Sequence, residues 1–478
     1  MKKFITILFL LIVSINLAFS HNINNTGICY DNVRISKKTA ILNPSEIVYE
    51  EYKEHLTFKN KNPKEFNSAG FWISKLKNPD KVLLKNSEIK QINATILNPR
   101  FGTTNLMKFS EYFDKARLRK ILRNRLSWIT GLKKIVDENG KTINKKVFVD
   151  VHKTIDLDKE VINVQYAVTT KYDEVRVLPT DIKAFSSVNS IDIDRLQEES
   201  IDLGTPVAVL CQTKDKKWSY VFTRNEDGWI KTENLAFTTK EIVAKWIKNK
   251  NVAVALAPKV DIFLDKKMTN YYSYIRMGTQ LPFVSKVKKD RICVAVPTSD
   301  EKGNLVLKKG YLFLPGIHKG YLECTQRNIL TLAFSHLNSP YGWGGSNGEQ
   351  DCSGYLGQIF NCFGIFLPET SVQKIKCGKG TSLENIDELE QKEKCIIENA
   401  VAGLSFLYFP GHIMLYIGQD NDKAYIIHAV WGISKFNRDN EMSTLYINKV
   451  IVSDLDLGGD VTSNSFLERM TKFNVIKN

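Results

Sequence analysis

PYGWGGSNGEQDCSGYLGQIF, residues 340–360, is the stretch of this sequence that decides the fold of its C-terminal part. Glycines and aromatic residues crowd the segment ahead of Cys352, and glycines let backbone or ligand come close. The pattern that follows predicts a helix over residues 352–363, which begins at the cysteine and is closed by Gly364. Asp351 and Ser353 are short polar residues that suit either a helix cap or a ligand contact.

A cysteine at the start of a helix is a candidate nucleophile. The unpaired N–H groups and the partial positive charge of a helix N-terminus lower the pKa of a thiol and favour the thiolate. Most single cysteines are instead buried apolar residues, so this interpretation of Cys352 needs a base elsewhere in the chain.

Two of the seven histidines lie in strand-like runs downstream of the cysteine. His412 begins HIMLYIG, His428 ends AYIIH, and the turn GQDNDK joins the two runs. The pattern predicts an antiparallel hairpin in which facing side chains come within about 5 Å. Each histidine alone is more simply a hydrogen-bonded strand residue. Together with Cys352, the two histidines form the nucleophile, base and orienting residue of a cysteine peptidase.

On these residues, the sequence resembles the NlpC-type family of cell-wall cysteine peptidases over roughly residues 320–450. The family's cysteine block, an aromatic residue before Trp-Gly-Gly and then Asp-Cys-Ser-Gly, is present at residues 341–345 and 351–354. Its Phe-Gly-x-x-Leu-Pro element matches residues 363–368, and its Gly-His pair matches residues 411–412. The resemblance implies a papain-like α+β domain that uses Cys352, His412 and His428 as catalytic residues, with no cofactor and no metal ion.

The resemblance also implies substrate-binding residues. Tyr341 is expected to donate a second hydrogen bond to the oxyanion, beside the backbone N–H of Cys352. Asp351 and Ser353 are expected to hold ammonium or amide groups of the substrate. Ser371 is the candidate for the family's substrate-contacting serine.

The chain departs from the family pattern just after the Leu-Pro pair. The family carries Leu-Pro-Arg, and here Glu369 stands in the arginine position. The family's serine precedes a glutamine by three residues, a spacing that Thr370 has relative to Gln373 and that Ser371 does not. The identity of the substrate-contacting hydroxyl therefore stays open between Thr370 and Ser371.

The upstream part of the chain predicts further units. Helical periodicity covers residues 44–135, with a helix start at Ser45-Glu46 and a basic helix in SEYFDKARLRKILRNRLSWI. Short alternating runs over residues 155–240 and 250–318 predict two small β-barrels, and their motifs resemble two bacterial SH3 domains. We therefore predict an α+β protein. Its expected parts are a signal peptide (1–20), an N-terminal helical stabilising region (21–150), two SH3-like barrels (151–245 and 246–318) and an NlpC-type peptidase domain (319–478).

The first twenty residues, MKKFITILFLLIVSINLAFS, predict a secretory signal. The residues before Cys29 lack the small residue of a lipoprotein signal, and no later apolar run has membrane-spanning length, so no stable anchor is expected. A net charge of +15 favours anionic partners, but an exported chain is not expected to bind nucleic acid. We expect a monomer in the periplasm or the cell wall. The eight cysteines have no CxxC spacing, and Cys377 and Cys395 are candidates for a disulfide.

The resemblance implies a peptidoglycan hydrolase that cleaves the bond between γ-D-glutamate and a diamino acid in stem peptides or muropeptides. In relatives, the first SH3 domain walls the cleft and restricts binding to peptides with a free N-terminal L-alanine. Two alternatives remain open: a cell-wall amidase or acyltransferase on the same scaffold, and a wall-binding protein without catalytic activity.

Overall fold

The structure, a computed structural model, describes residues 63–158, 161–436, 442–459 and 464–477. The expected signal peptide, the helix start at Ser45 and Cys29 lie outside these residues.

The N-terminal region contains four helices and three short strands, which are α1 (Ala69–Ser74), α2 (Asn86–Ile96), α3 (Lys115–Gly131), α4 (Lys146–His152), β1 (Val82–Leu84), β2 (Tyr112–Asp114) and β3 (Val161–Asn163). The basic helix α3 begins later than its periodicity predicts. The side chain of Asp114 accepts a 2.6 Å hydrogen bond from Arg117 N and caps the helix. Phe113, predicted as a helical position, therefore lies in β2.

The first all-β unit has seven antiparallel strands, which are β4 (Gln165–Thr169), β5 (Asp173–Arg176), β6 (Gln197–Ile201), β7 (Pro206–Gln212), β8 (Trp218–Phe222), β9 (Asp227–Lys231) and β10 (Leu235–Thr238). Their order in the sheet is β10-β4-β7-β8-β9-β5-β6. Alternate residues such as Val207, Val209 and Val221 are buried and form its core, as the alternating pattern predicts.

Helix α5 (Lys240–Lys248) leads into a second seven-stranded unit, which comprises β11 (Val252–Ala255), β12 (Lys259–Phe263), β13 (Tyr271–Arg276), β14 (Gln280–Lys288), β15 (Arg291–Ser299), β16 (Leu305–Phe313) and β17 (Ile317–Lys319). The strand order is β13-β12-β16-β15-β14-β11-β17. Val260, Ile262 and Val294 belong to its separate core. Each β unit therefore has a hydrophobic core of its own, and the two units follow one another along the chain.

The C-terminal part is a mixed helix and sheet domain, which comprises β18 (Cys324–Thr325), α6 (Gln326–Ser335), α7 (Cys352–Asn361), α8 (Ser371–Lys374), β19 (Lys379–Ser382), α9 (Leu389–Asn399), β20 (Ser405–Phe409), β21 (His412–Asp420), β22 (Lys423–Phe436), β23 (Met442–Asp454), α10 (Phe466–Arg469) and β24 (Lys472–Val475). Its six-stranded sheet has the order β19-β24-β20-β21-β22-β23. Helices α6 and α7 pack on one face of the sheet, and α9 and α10 pack on the other. The predicted α+β class is confirmed.

The loop that precedes α7 packs beneath strand β6 of the first β unit. Gln197 Nε2 donates a 2.9 Å hydrogen bond to Gly344 O, and Tyr172 Oη donates one of 2.6 Å to Gly345 O. Gly344 and Gly345 have φ values of 52° and 74°, in the left-handed region that favours glycine. A Cβ on Gly345 would lie 1.8 Å from Ser200 Oγ. The glycines ahead of Cys352 thus allow another domain to lie directly on the loop.

Arg276 ties the second β unit into the same junction. Its guanidinium makes a two-point ion pair with Asp202, with distances of 2.9 and 3.0 Å, and its Nη1 donates to Glu349 O at 3.1 Å. Arg276 is 5% exposed, so this pairing is desolvated. One side chain therefore links both β units to the loop before Cys352.

The predicted Cys377–Cys395 disulfide is wrong, because both residues are free thiols. Cys377 is buried beside α8, whereas Cys395 is half-buried on α9. Among the described residues, no helix is both long and apolar enough to span a bilayer.

We expect Gly345→Ala to lower the free energy of unfolding by about 2–4 kcal/mol, because a left-handed φ is strained for alanine and Ser200 Oγ occupies the space of the new methyl group. Gly320→Ala is the matched control. Gly320 has a φ of 80° and nothing within 4 Å of its Cβ position, so it carries only the backbone cost of about 1 kcal/mol. Urea denaturation measures both, and equal losses would contradict the packing argument.

Candidate active site

Cys352 is the first residue of α7, as the sequence predicts. Asp351 caps the helix, and its Oδ1 accepts hydrogen bonds from Gly354 N at 2.7 Å and Ser353 Oγ at 2.8 Å. Asp351 and Ser353 therefore stabilise the start of the helix. Ser353 contacts the site indirectly, through the hydrogen bond that its hydroxyl donates to the Asp351 carboxylate.

The thiol of Cys352 is buried, with 8% of the residue exposed. Burial, followed by the negative charge of Asp351, raises its pKa to about 12, although the backbone N–H of Ile413 and the ammonium of Lys374 act in the opposite direction. The prediction that the helix start lowers this pKa is therefore wrong for the resting site. Desolvation outweighs the helix N-terminus, so the protein holds a neutral thiol that needs a base.

His412 and His428 form the predicted pair. His412 Nε2 lies 2.7 Å from His428 Nδ1, and the ring centroids are 5.0 Å apart. They are diagonal and not directly facing: strands β21 and β22 pair Leu415 with Ile427, which places Met414 opposite His428. Diagonal neighbours lie on the same sheet face within reach of aromatic side chains. The thiol of Cys352 lies at the backbone N–H of Ile413, the residue that follows His412 on β21.

Ser453 extends this pair into a chain of hydrogen bonds. His428 Nε2 lies 3.2 Å from Ser453 Oγ, and both residues are at most 2% exposed. To accept the thiol proton at Nδ1, His412 must carry its own proton on Nε2 and donate it to His428 Nδ1. His428 then carries its proton on Nε2 and donates it to the Ser453 hydroxyl. The Ser453 hydroxyl can accept that proton, so the hydrogen-bond chain is compatible with the tautomer in which His412 is a base.

Helix α10 covers the histidines from the other side of the sheet. The Phe466 ring centroid lies 5.7 Å from that of His412 and 5.6 Å from that of His428. Burial, followed by the charge of Arg469, lowers the pKa of His412 to about 3, and burial beside His412 holds the pKa of His428 well below its usual value. Both imidazoles are therefore neutral at neutral pH, which the base role of His412 requires.

Tyr341 lies within electrostatic reach of Cys352, and its role as an oxyanion donor stays a prediction. Burial, together with the charges of Asp351, Cys352 and Glu199, raises the pKa of Tyr341 well above its usual value. Its hydroxyl therefore stays protonated close to the thiol, as a donor to an oxyanion must.

The two candidate hydroxyls after Glu369 differ in their contacts. Thr370 caps α8 in a reciprocal capping box: its Oγ1 accepts from Gln373 N at 3.3 Å, and its N donates to Gln373 Oε1 at 3.0 Å. The three-residue spacing that fits Thr370 is thus a helix cap. Ser371 is the first residue of α8 and is half-buried, so the prediction for its role in substrate binding stands.

A buried lysine accompanies the glutamate that replaces the family's arginine. Lys374 is 1% exposed, its Nζ donates to Glu369 O, and it lies 3.9 Å from Glu369 Oε1. The ammonium also packs toward α7, since a Cβ on Gly357 would lie 3.8 Å from it. The positive charge that the family's arginine would carry at position 369 is therefore carried here by Lys374, about one helical turn later.

The sequence analysis missed Glu199, Lys374 and Ser453. Glu199 is brought to the site by another domain, and Ser453 looks like any polar residue of an alternating strand. A lysine in a short amphipathic helix gives no signal that it is buried. The described ranges hold no cluster of three or more His, Cys, Asp or Glu side chains arranged for a metal ion.

Two family models match parts of this chain. The NlpC/P60 family model matches residues 338–454, and the model of the SH3 domain of SH3b1 type matches residues 183–231. Dipeptidyl-peptidase 6 of Lysinibacillus sphaericus is 27% identical over 135 residues, which are 27% of this chain and 43% of that protein. The chain thus spans less than half of that curated relative.

A solved structure shows the same fold. An NlpC/P60 endopeptidase from Photobacterium damselae subsp. piscicida has a TM-score of 0.71 at 19% identity, covering 85% of this chain and 96% of its own. An NlpC/P60 family protein from Bacillus cereus has a TM-score of 0.47 at 16% identity, covering 66% of this chain and 100% of its own. The predicted NlpC-type recognition is confirmed. One SH3 match is found, so the second SH3 domain stays a prediction.

We expect Ser453→Ala to lower kcat for a stem peptide roughly tenfold with little change in KM, because His428 loses the acceptor that fixes its tautomer. Ser405→Ala is the control. Ser405 is a fully buried serine of the same sheet whose hydroxyl accepts from Val401 N at 2.9 Å, away from the histidines. Equal kinetic losses in both variants would show that Ser453 has only a structural role.

We expect acid to destabilise the folded protein through His412. Its pKa is about 3 when folded and 6.5 ordinarily, so between these values only the unfolded chain binds the proton. The contribution of His412 is therefore full above about pH 6.5 and is lost as the pH falls, by about 2 kcal/mol between pH 7 and pH 5. Urea denaturation at both pH values should show a smaller loss for His412→Gln, and the same loss in both proteins would refute the assignment.

Proposed function

Because residues 338–454 match the NlpC/P60 family model and contain a cysteine at a helix start and a hydrogen-bonded histidine chain, we propose that the protein is a peptidoglycan hydrolase. In this proposal it is a cysteine endopeptidase that cleaves the bond between γ-D-glutamate and a diamino acid in stem peptides with a free N-terminal L-alanine. The observation that carries the proposal is the chain from His412 through His428 to Ser453, beside Cys352 at a helix start. The printed name of the relative, a dipeptidyl-peptidase, fits release of an L-Ala–D-Glu dipeptide.

The proposed reaction is acyl transfer to water. Cys352 Sγ attacks the γ-glutamyl carbonyl as its proton passes to Nδ1 of His412, and the resulting imidazolium is stabilised through His428. The oxyanion meets the backbone N–H of Cys352 and the hydroxyl of Tyr341. His412 then gives its proton to the leaving amine of the diamino acid. Water, activated by the same imidazole, hydrolyses the thioester and restores the thiol.

The selection of a free amine rests on two carboxyl groups. Burial, followed by the charges of Glu369 and Asp351, raises the pKa of Glu199 of the first β unit well above its usual value, and Asp351 and Glu199 both act on Tyr341. An ammonium placed beside Glu199 and Asp351 compensates their charge, whereas an acylated amine brings no charge to do so. Ser353, through its bond to Asp351, and Ser371 are the further candidates for substrate contact. Such a substrate places the enzyme outside the cytoplasm, as an exported monomer that acts on the wall or its fragments.

We expect Cys352→Ala to abolish release of L-Ala–D-Glu from L-Ala-γ-D-Glu-meso-diaminopimelate and from its L-Lys counterpart, because Cys352 is the proposed nucleophile. Mass spectrometry of the products is the measurement. Cys395→Ala, at a half-buried thiol on α9, is the control and should retain full turnover.

The products also separate the alternatives. Loss of whole stem peptides from muropeptides would identify an amidase. Binding to the wall without any change in muropeptides would identify a binding protein, and dipeptide release by Cys352→Ala would overturn the assigned nucleophile.

A further inference from the structure

An arginine on helix α10 lies beside His412, the proposed base. Arg469 is the last residue of α10, and its guanidinium carbon lies 4.0 Å from the ring centroid of Phe409 and 5.9 Å from that of Phe466. The same two rings flank His412, whose ring centroid lies 5.5 Å from that of Phe409 and 5.7 Å from that of Phe466. Arg469 and His412 are therefore neighbours that share two aromatic contacts.

The charge of this arginine is uncompensated within the part of the chain that the structure describes. There, Arg469 is exposed and makes neither an ion pair nor a side-chain hydrogen bond. The adjacent carboxylate of Glu468 is held in the capping box of α10, where it accepts a hydrogen bond from the backbone N–H of Ser465. The next charged residue along the chain is another cation, Lys472, which lies over the Tyr408 ring at 5.6 Å. The guanidinium of Arg469 is thus available to an anion from outside the chain.

This positive charge opposes the chemistry proposed for His412. His412 becomes an imidazolium when it takes the thiol proton. Burial, followed by the charge of Arg469, holds the pKa of His412 down, which means that both disfavour the imidazolium. An unpaired guanidinium at this place therefore slows the reaction, unless the substrate brings a negative charge that neutralises it.

The position of Arg469 indicates which part of the substrate it faces. Glu199 and Asp351, the carboxyl groups proposed to hold the N-terminal amine, both act on Tyr341. Arg469 acts on His412 instead. In the proposed reaction His412 gives its proton to the leaving amine, so the diamino acid lies on the His412 side of the scissile bond. Arg469 therefore faces the diamino acid and not the N-terminal residue.

We propose that Arg469 is a specificity-determining residue that pairs with the carboxylate at the far end of the diamino acid's side chain. The proposal rests on the proposed function, because it takes the leaving amine to be held at His412. The α-carboxyl is bonded to the carbon that bears this amine and stays beside the scissile bond, whereas the distal carboxylate can extend to the guanidinium on the Phe409 ring. Diaminopimelate differs from lysine by this one carboxylate. Its binding neutralises Arg469 and thereby favours the imidazolium, so we expect diaminopimelate to be preferred.

The test uses three forms of L-Ala-γ-D-Glu-meso-diaminopimelate: the free peptide, the peptide amidated at the distal carboxyl, and the peptide amidated at the α-carboxyl. The two monoamides are isomers of equal net charge, so only the position of the charge differs between them. We expect kcat/KM for the distal monoamide to be about tenfold below that for the other two peptides. Arg469→Gln should bring the ratio of the two monoamides to about one.

Arg117→Gln is the matched control. Arg117 is also an exposed arginine whose guanidinium carbon lies over a phenylalanine ring, 5.1 Å from the centroid of Phe113, but it belongs to α3 of the N-terminal region. This variant should leave the ratio of the two monoamides unchanged.

The outcomes separate the two proposals. Equal rates for the two monoamides, or a ratio that survives Arg469→Gln, refute the role of Arg469 and leave the endopeptidase intact. An α-monoamide that is cleaved more slowly than the distal monoamide overturns the assignment to the distal carboxylate. Failure to cleave all three peptides overturns the proposed function, and this proposal with it. If Arg469→Gln does not fold, the ratio in the unaltered protein decides, and a value of about one refutes the proposal.

Discussion

The packing of strand β6 onto the glycine loop ahead of Cys352 is the contact on which the rest of the site depends. Hydrogen bonds from Gln197 and Tyr172 to the carbonyls of Gly344 and Gly345 hold the first β unit against that loop. Glu199 follows Gln197 by two residues on the same strand face and is thereby fixed beside the cleft. The carboxyl of Glu199 and the proposed nucleophile, which belong to different domains, are thus held near each other by side-chain hydrogen bonds to the loop backbone.

Burial explains why the resting site is neutral. Cys352 lies in the core of the C-terminal domain, and Phe466 of α10 covers the two imidazoles, so desolvation favours the uncharged form of the thiol and of both rings. The charged pair of thiolate and imidazolium is then a high-energy state, reached when the proton crosses to His412. The helix start and Lys374 stabilise the anion, and His428 with Ser453 stabilises the cation. The free energy of forming the pair of Cys352 thiolate and His412 imidazolium therefore depends on groups that the fold has already placed around it.

Local patterns predicted much of the fold and the core of the site. The helix at Cys352, the hairpin that bears both histidines and the alternating strands follow from periodicity and turn residues that act over a few positions. Glu199 could not be predicted in the same way, because its contact with Asp351 joins residues about 150 positions apart on different domains. The pKa of Cys352 was mispredicted for the same reason. The helix start is visible in the sequence, but the strand that buries the thiol is remote from it.

The change from arginine to glutamate at position 369 is best understood as a relocation of charge. Thr370 and Gln373 close a capping box that starts α8, which places Lys374 on the turn that faces back to Glu369. The ammonium keeps a cation near α7 and the thiol, so the electrostatics of the nucleophile survive the substitution. The carboxyl of Glu369 meanwhile lines the same pocket as Glu199 of the first β unit. The substitution therefore places a carboxyl on the wall of that pocket, while Lys374 supplies the cation that acts on the cysteine.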